Sequence, residues 1–186
     1  VWERLRQEGT VDVPNLVFVG KWGWEIDGLK AHIRRSGATD KWLFILNNMS
    51  DEELDHLYAN CLLTAYPSFA EGWGLPVGES LAHGKMCIAS NATSIPEVGG
   101  RLVEYIDPYN LDAACETFRA FLSDPERIRQ CERAIRAGFR VRTWDEYCSE
   151  FYGNIDAHIE DRRPLPPEGN YTYTPGEIYF YGSDDI

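Results

Sequence analysis

Short apolar runs alternate along the chain with stretches whose apolar residues recur at helical spacing. The runs at 16–20, 42–46, 62–66, 86–90 and 102–106 read as strands. The stretches 1–8, 25–36, 51–60, 75–83, 111–123, 125–139 and 144–159 read as helices. Ser50 stands where an N-cap belongs, with Glu53 three residues on to complete a capping box. Asp124 before Pro125 marks another helix start. Strands that are apolar throughout, alternating with helices, predict an α/β fold: a Rossmann-like doubly wound parallel sheet covered on both faces. Ligands of such sheets bind at the carboxyl ends of the strands. The turns Val19-Gly20-Lys21 and 71–74 both follow strands, so they should share a rim.

The 186 residues and 44% apolar content suit one domain with an appendage. The body is expected over 1–160 and a Pro-rich extended tail over 161–186, where Arg162-Arg163-Pro164-Leu165-Pro166-Pro167 opens a linker-like stretch. Beyond it, 171–174 and 177–181 alternate as short strands would. The chain opens inside an amphipathic pattern without a methionine, so a fragment of a longer protein is expected. No apolar run is long enough to span a bilayer.

The net charge of −12 argues against a nucleic-acid partner. Of the 18 basic residues only Arg162 and Arg163 lie beyond Arg142, so the acidity belongs mostly to the C-terminal part and the body can accept an anion. Five cysteines without CxxC spacing read as reduced thiols. The sequons at Asn48, Asn91 and Asn170 read as chance matches. Histidines and cysteines show no metal-ligand spacing, and no G-x-G-x-x-G follows a strand.

The most informative stretch is Glu71-Gly72-Trp73-Gly74-Leu75-Pro76-Val77-Gly78-Glu79, directly after the third strand. Strand, glycine loop and helix start in that order offer free N–H groups and a positive dipole end to a phosphate. Two carboxylates beside such a cradle make sense if they hold a neutral, hydroxyl-rich group such as a sugar.

The stretch resembles the E-x7-E signature of retaining glycosyltransferases of the GT-B fold, family 4. Ser50-Asp51-Glu52-Glu53-Leu54 with Leu57-Tyr58 resembles the family's helix ahead of the motif. Ala82-His83-Gly84-Lys85-Met86-Cys87-Ile88-Ala89-Ser90 and Ile95-Pro96-Glu97-Val98 resemble its following segments. Trp144-Asp145-Glu146-Tyr147 resembles its last helix. The first four of these motifs, in family order, carry the likeness, over about 1–152.

The resemblance implies the C-terminal, donor-binding half of a GT-B enzyme that moves a hexose from a nucleoside-diphosphate sugar to a glycan or lipid-linked acceptor. It gives the catalytic place to Glu71, on the donor sugar's hydroxyls, and the ribose to Glu79. The backbone of Gly72, Trp73, Gly74 and Leu75 would meet the sugar and distal phosphate, with the Trp73 ring packing to shape the loop. Gly20 and Lys21 would lie near the diphosphate, and Met49 and Ser50 near the base. No metal and no cofactor are implied, the nucleotide-sugar being substrate. The turn Phe18-Val19-Gly20-Lys21-Trp22-Gly23-Trp24 leans towards GDP-mannose and polysaccharide assembly. The implied partners are the nucleotide-sugar, a missing N-terminal GT-B domain and the acceptor, with peripheral membrane association through that domain; the implied location is cytoplasmic. In relatives an arginine and a lysine ahead of the first helix here meet the phosphates, so this chain alone is expected to bind nucleotide weakly and transfer nothing. A GT-B-type epimerase and a non-catalytic binding module are the alternatives left open. His83 reads as a dipole partner, His32 and His56 as solvent-facing, and Glu97 as an N-terminal helix acid.

Overall fold

The structure, a computed structural model, describes residues 1–23 and 26–160, with backbone alone for 158–160. The expected tail at 161–186 lies outside the described residues. Val1–Val141 forms one compact unit and Arg142 begins a second. In chain order the first unit holds α1 (Trp2–Glu8), β1 (Leu16–Val19), α2 (Asp27–Ser36), β2 (Leu43–Leu46), α3 (Asp51–Asn60), β3 (Thr64–Tyr66), α4 (Leu75–Ala82), β4 (Cys87–Ser90), α5 (Ile95–Gly99), β5 (Glu104–Ile106), α6 (Leu111–Ser123) and α7 (Pro125–Gly138). The second holds α8 (Trp144–Glu160).

All five expected strands form, and all pair in parallel. They make two hydrogen-bonded sheets rather than one: β1-β2, and β3-β4-β5. The first runs in the register Leu16↔Leu43 to Val19↔Leu46. Strands buried on both faces were expected throughout, but only β4 is fully buried. The reason is its place. It has a strand on each edge, and its side chains alternate between two cores. Ile88 joins Met86, Ile106, Phe118 and Phe121 beneath α1 and α6. Cys87 and Ala89 join Val77, Leu81, Ile95 and Ile135 beneath α4 and α7. This sheet is therefore wound on both faces, as the apolar runs imply.

β1 differs. Leu16 and Phe18 pack with Ile33 of α2 and Leu43 of β2. Val17 and Val19 on the alternate face are 39% and 44% exposed, as the period-two geometry of a one-sided ribbon requires.

Local chemistry explains the helix starts. Ser50 Oγ accepts the Glu53 N–H at 3.2 Å and Glu53 Oε2 accepts the Ser50 N–H at 2.8 Å, closing the expected capping box on α3. Asp124 accepts the Arg127 N–H at 3.1 Å and Pro125 follows it, so α7 begins as the sequence implies. Asn110 caps α6 through the Ala113 N–H at 3.0 Å. α1 buries Trp2 and Leu5, worth about 1.5–3 kcal/mol each. The Trp2 ring meets the Phe118 ring edge-on at 5.1 Å, and its N–H donates to the Pro14 carbonyl at 2.9 Å.

α8 opens with a second reciprocal pair. The Thr143 N–H donates to Glu146 at 3.0 Å and the Glu146 N–H donates to Thr143 Oγ1 at 3.3 Å. Trp144, Tyr147 and Phe151 follow at helical spacing, their rings in sequential contact. Arg142 pairs with Glu150 across the first turns. No helix among the described residues is long and apolar enough to cross a membrane.

Candidate functional site

The loop after β3 is built around Glu71. Four side chains grip it. Its N–H donates to Thr93 Oγ1 at 2.9 Å, and its carbonyl accepts from Ser94 Oγ at 2.9 Å. Its carboxylate Oε1 accepts from Tyr66 Oη at 2.6 Å and from Ser68 Oγ at 2.8 Å. Oε2 has no hydrogen-bond partner among the described residues. Tyr66 ends β3, while Thr93 and Ser94 follow β4, so the parallel pairing of those strands puts both grips on one rim. Thr93 holds φ 52, a left-handed conformation that a β-branched residue rarely adopts.

The chain then passes Gly72, Trp73 and Gly74 into α4. Gly74 is the N-cap at φ 93, and a Cβ there would stand 3.4 Å from the Ile95 side chain. Both the angle and the close approach favour glycine. No side chain caps α4, whereas α3, α6 and α7 each have one. Pro76 has no N–H and the Val77 N–H donates to the Gly74 carbonyl at 3.0 Å, so among the described residues the Leu75 N–H is the first-turn donor left to solvent or a ligand. Leu75 is the first helical residue and Pro76 falls in the first turn, where its missing N–H costs nothing. The expectation that the Trp73 ring packs to shape the loop is not met. Trp73 is 55% exposed and Leu75 64%, because the loop stands clear of both cores.

Glu79 lies one turn into α4 and is exposed. Its Oε2 accepts from Tyr58 Oη of α3 at 2.8 Å, and Oε1 has no partner among the described residues. The Tyr58 ring stacks on His83 at 5.1 Å, and His83 Nε2 lies 3.3 Å from Asp55 Oδ1. His83 closes the last turn of α4, as a dipole partner would, and it also braces Tyr58. Burial, and then the hydrogen bond to the neighbouring carboxylate, push both the Tyr58 and the Tyr66 phenols up from their ordinary value of 10.0. Both therefore stay protonated donors at any physiological pH.

Gly20 and Lys21 follow β1. The Gly20 N–H donates to the Leu46 carbonyl at 3.0 Å, with φ 126 at Gly20. Lys21 makes no ion pair among the described residues. Met49 and Ser50 follow β2, beside the same end of that ribbon. The structure thus places Glu71, the 72–75 loop and Glu79 about the start of α4, and Gly20–Lys21 and Met49–Ser50 beyond the carboxyl ends of β1 and β2. The Tyr58–Glu79 bond links the α3 arm of the latter group to the former.

His32 pairs with Glu3 at 2.9 Å and His56 meets Asn60, both at exposed positions. Glu97 lies in the first turn of the short α5. Among the described residues no three His, Cys, Asp or Glu side chains could hold a metal ion. Burial pushes the Cys87 thiol up to about 11, so it is an inert core group. A cleft of about 470 Å³ lies between α1 and α2, lined in part by Arg6, Arg35 and Trp42. Trp42 precedes β2, so this cleft is at the opposite end of that strand from Met49 and Ser50.

Sequence reasoning missed Tyr58, Tyr66, Ser68, Thr93 and Ser94. Tyr58 stood in the quoted motif, and its spacing from Ser50 places it two turns along α3. The other four carry no local signal for contact with Glu71.

Residues 1–138 match the family described as Glycosyl transferases group 1. O-antigen chain mannosyltransferase B of Escherichia coli is 41% identical over 98 residues, covering 53% of this chain and 26% of that protein. The chain thus spans about a quarter of that curated relative. Sucrose-phosphate synthase from Thermosynechococcus elongatus has a similar fold, with a TM-score of 0.62 at 20% identity, over 83% of this chain and 42% of that one. The C-terminal domain of the group 1 glycosyl transferase LpcC from Francisella tularensis matches with a TM-score of 0.53 at 15% identity, over 76% of this chain and 93% of that one. Both solved structures agree with the α/β architecture, and the second is itself described as the C-terminal domain of its protein. With the strand, loop and helix around Glu71 and Glu79 inside the matched stretch, the chain belongs to the group 1 family of glycosyl transferases.

Proposed function

We propose that this chain is the donor-binding half of a retaining hexosyltransferase that draws on a nucleoside-diphosphate sugar. One observation carries the reading: two carboxylates, each with an oxygen that has no partner among the described residues, flank a helix start that no side chain caps. A carboxylate accepts hydrogen bonds from two vicinal hydroxyls, each worth about 1.5–3 kcal/mol when the acceptor is charged. Glu79 serves the ribose and Glu71 the hexose. The Leu75 N–H and the positive dipole end of α4 face the distal phosphate and steady the charge that grows on the leaving group. Gly20 and Lys21 serve the diphosphate, and Met49 and Ser50 the base.

Retention of configuration implies transfer on the same face of the sugar, with the departing phosphate taking the acceptor's proton as the acceptor oxygen bonds to the sugar carbon. The nucleotide-sugar is a substrate, and neither metal nor resident cofactor enters the scheme. The Escherichia coli relative named as an O-antigen chain mannosyltransferase supports mannose as the sugar; we take the donor to be GDP-mannose and the acceptor a glycan or lipid-linked glycan. The acceptor site belongs to a partner GT-B domain, and the reaction to the cytoplasmic side, where nucleotide-sugars are held.

A thermal-shift screen against GDP, UDP, ADP and dTDP and their sugars tests this. One nucleoside diphosphate should raise the melting temperature of the 186-residue chain, and Glu79→Ala should abolish the rise. A rise that survives in that variant removes Glu79 from the site.

A further inference from the structure

We infer that Tyr58 and Tyr66 are positioning residues that each fix one oxygen of a donor-site glutamate and so aim the other at a substrate hydroxyl. The inference rests on the donor-site reading above and deepens it. A free glutamate side chain samples many rotamers, and a ligand that needs one of them must offset the ordering cost. Here the two carboxylates are already ordered, and each by a phenol. Tyr66 Oη lies 2.6 Å from Glu71 Oε1, and Tyr58 Oη 2.8 Å from Glu79 Oε2.

The two devices have the same logic and different supports. Tyr66 belongs to β3, the strand that delivers the loop, and acts with Ser68 on the same oxygen. The backbone of Glu71 is held independently by Thr93 and Ser94 from the turn after β4. Thr93 keeps a strained φ of 52 while accepting from the Glu71 N–H. Main chain and carboxylate are thus both fixed, and only Oε2 is left to turn towards a ligand. Tyr58 comes from a different helix, and the flat stack of His83 on its ring holds it in place. The upward shift of both phenols agrees with the assignment, since a protonated phenol donates to its carboxylate and does not repel it.

A purely structural phenol would merely satisfy its own hydroxyl. The two roles separate by ligand. Isothermal titration of the full chain with GDP, UDP, ADP and dTDP finds the nucleotide, and titration with the matching mannose or glucose nucleotide finds the sugar increment. Tyr58→Phe should weaken the nucleoside diphosphate about tenfold, the loss of one charge-assisted bond. In a Glu79→Gln background the same change should add less than about twofold, because the charge-assisted bond it would remove is already gone. Tyr66→Phe should leave the nucleoside diphosphate within about twofold and erase the extra affinity contributed by the sugar. Each variant keeps its ring, so melting temperatures in the absence of ligand should stay close to the parent. Nucleotide affinities equal to the parent's in Tyr58→Phe, or an equal loss of both ligands in both variants, overturn the inference while the donor site stands. No binding of any of the four by the unmodified chain overturns the donor site itself, and the inference with it.

Discussion

Gly74 joins loop to helix at φ 93 with Ile95 at its back, and no other residue type meets both conditions without strain. Placing an L side chain in that region costs about 1–2 kcal/mol. Gly74→Ala should therefore lower unfolding free energy by about that amount in urea titration, and it should weaken nucleotide binding further by shifting the α4 start. A Gly72→Ala control meets open space and should cost less in both assays. The phenols make a second prediction. A folded pKa raised above 10.0 means the native state holds its proton more tightly than the unfolded chain. That stabilisation is whole below the unfolded value of 10.0 and is lost progressively as pH climbs above it towards the folded value. Urea midpoints measured between neutral pH and mildly denaturing alkali should fall, and the fall should be shallower in Tyr58→Phe. These tyrosines also show where residue-level reading stops. Glu71 and Glu79 announce themselves by their spacing about a glycine loop, whereas Tyr66, Thr93 and Ser94 matter only through contacts that folding creates.

At the scale of elements, capping chemistry was the most readable layer. Ser50 with Glu53 and Asp124 with Pro125 are local signals, and both close as their spacing implies. Ser50→Ala should cost about 1 kcal/mol by loss of one N–H acceptor, measured by chemical denaturation. If Ser50 is no more than a cap, its variant will keep full nucleotide affinity at a temperature where it remains folded. A weakened affinity there points to the base site. Helix α5 shows the opposite case. Its five residues, Ile95–Gly99, are too few to display a period, and Pro96 and Gly99 obscure what period there is. The apolar runs gave every strand its place, but not its environment. Val17 and Val19 look like core in sequence and stand half in solvent, because burial depends on which neighbours a strand acquires.

At the scale of the molecule, three apolar clusters hold the first unit, and β4 is shared between two of them. Phe121 is fully buried where α6 meets the first cluster, with the Arg127 guanidinium 4.0 Å from its ring centre. Phe121→Ala should cost about 3–5 kcal/mol, enough to unfold a marginal domain, and circular dichroism melting would show it. The parallel arrangement was legible from strand–helix alternation; its division into two ribbons was not, since pairing is a long-range choice that composition does not encode. That division has a practical outcome. Among the described residues, outer strands such as β1 and β3 pair along one edge and leave a row of backbone donors and acceptors without a strand partner on the other. Any extended peptide, including another copy, can zip onto such a margin. Stock solutions of the purified polypeptide should accordingly turn oligomeric with concentration in sedimentation velocity, and Val17→Lys, by placing a charge on that margin, should keep more of it monomeric.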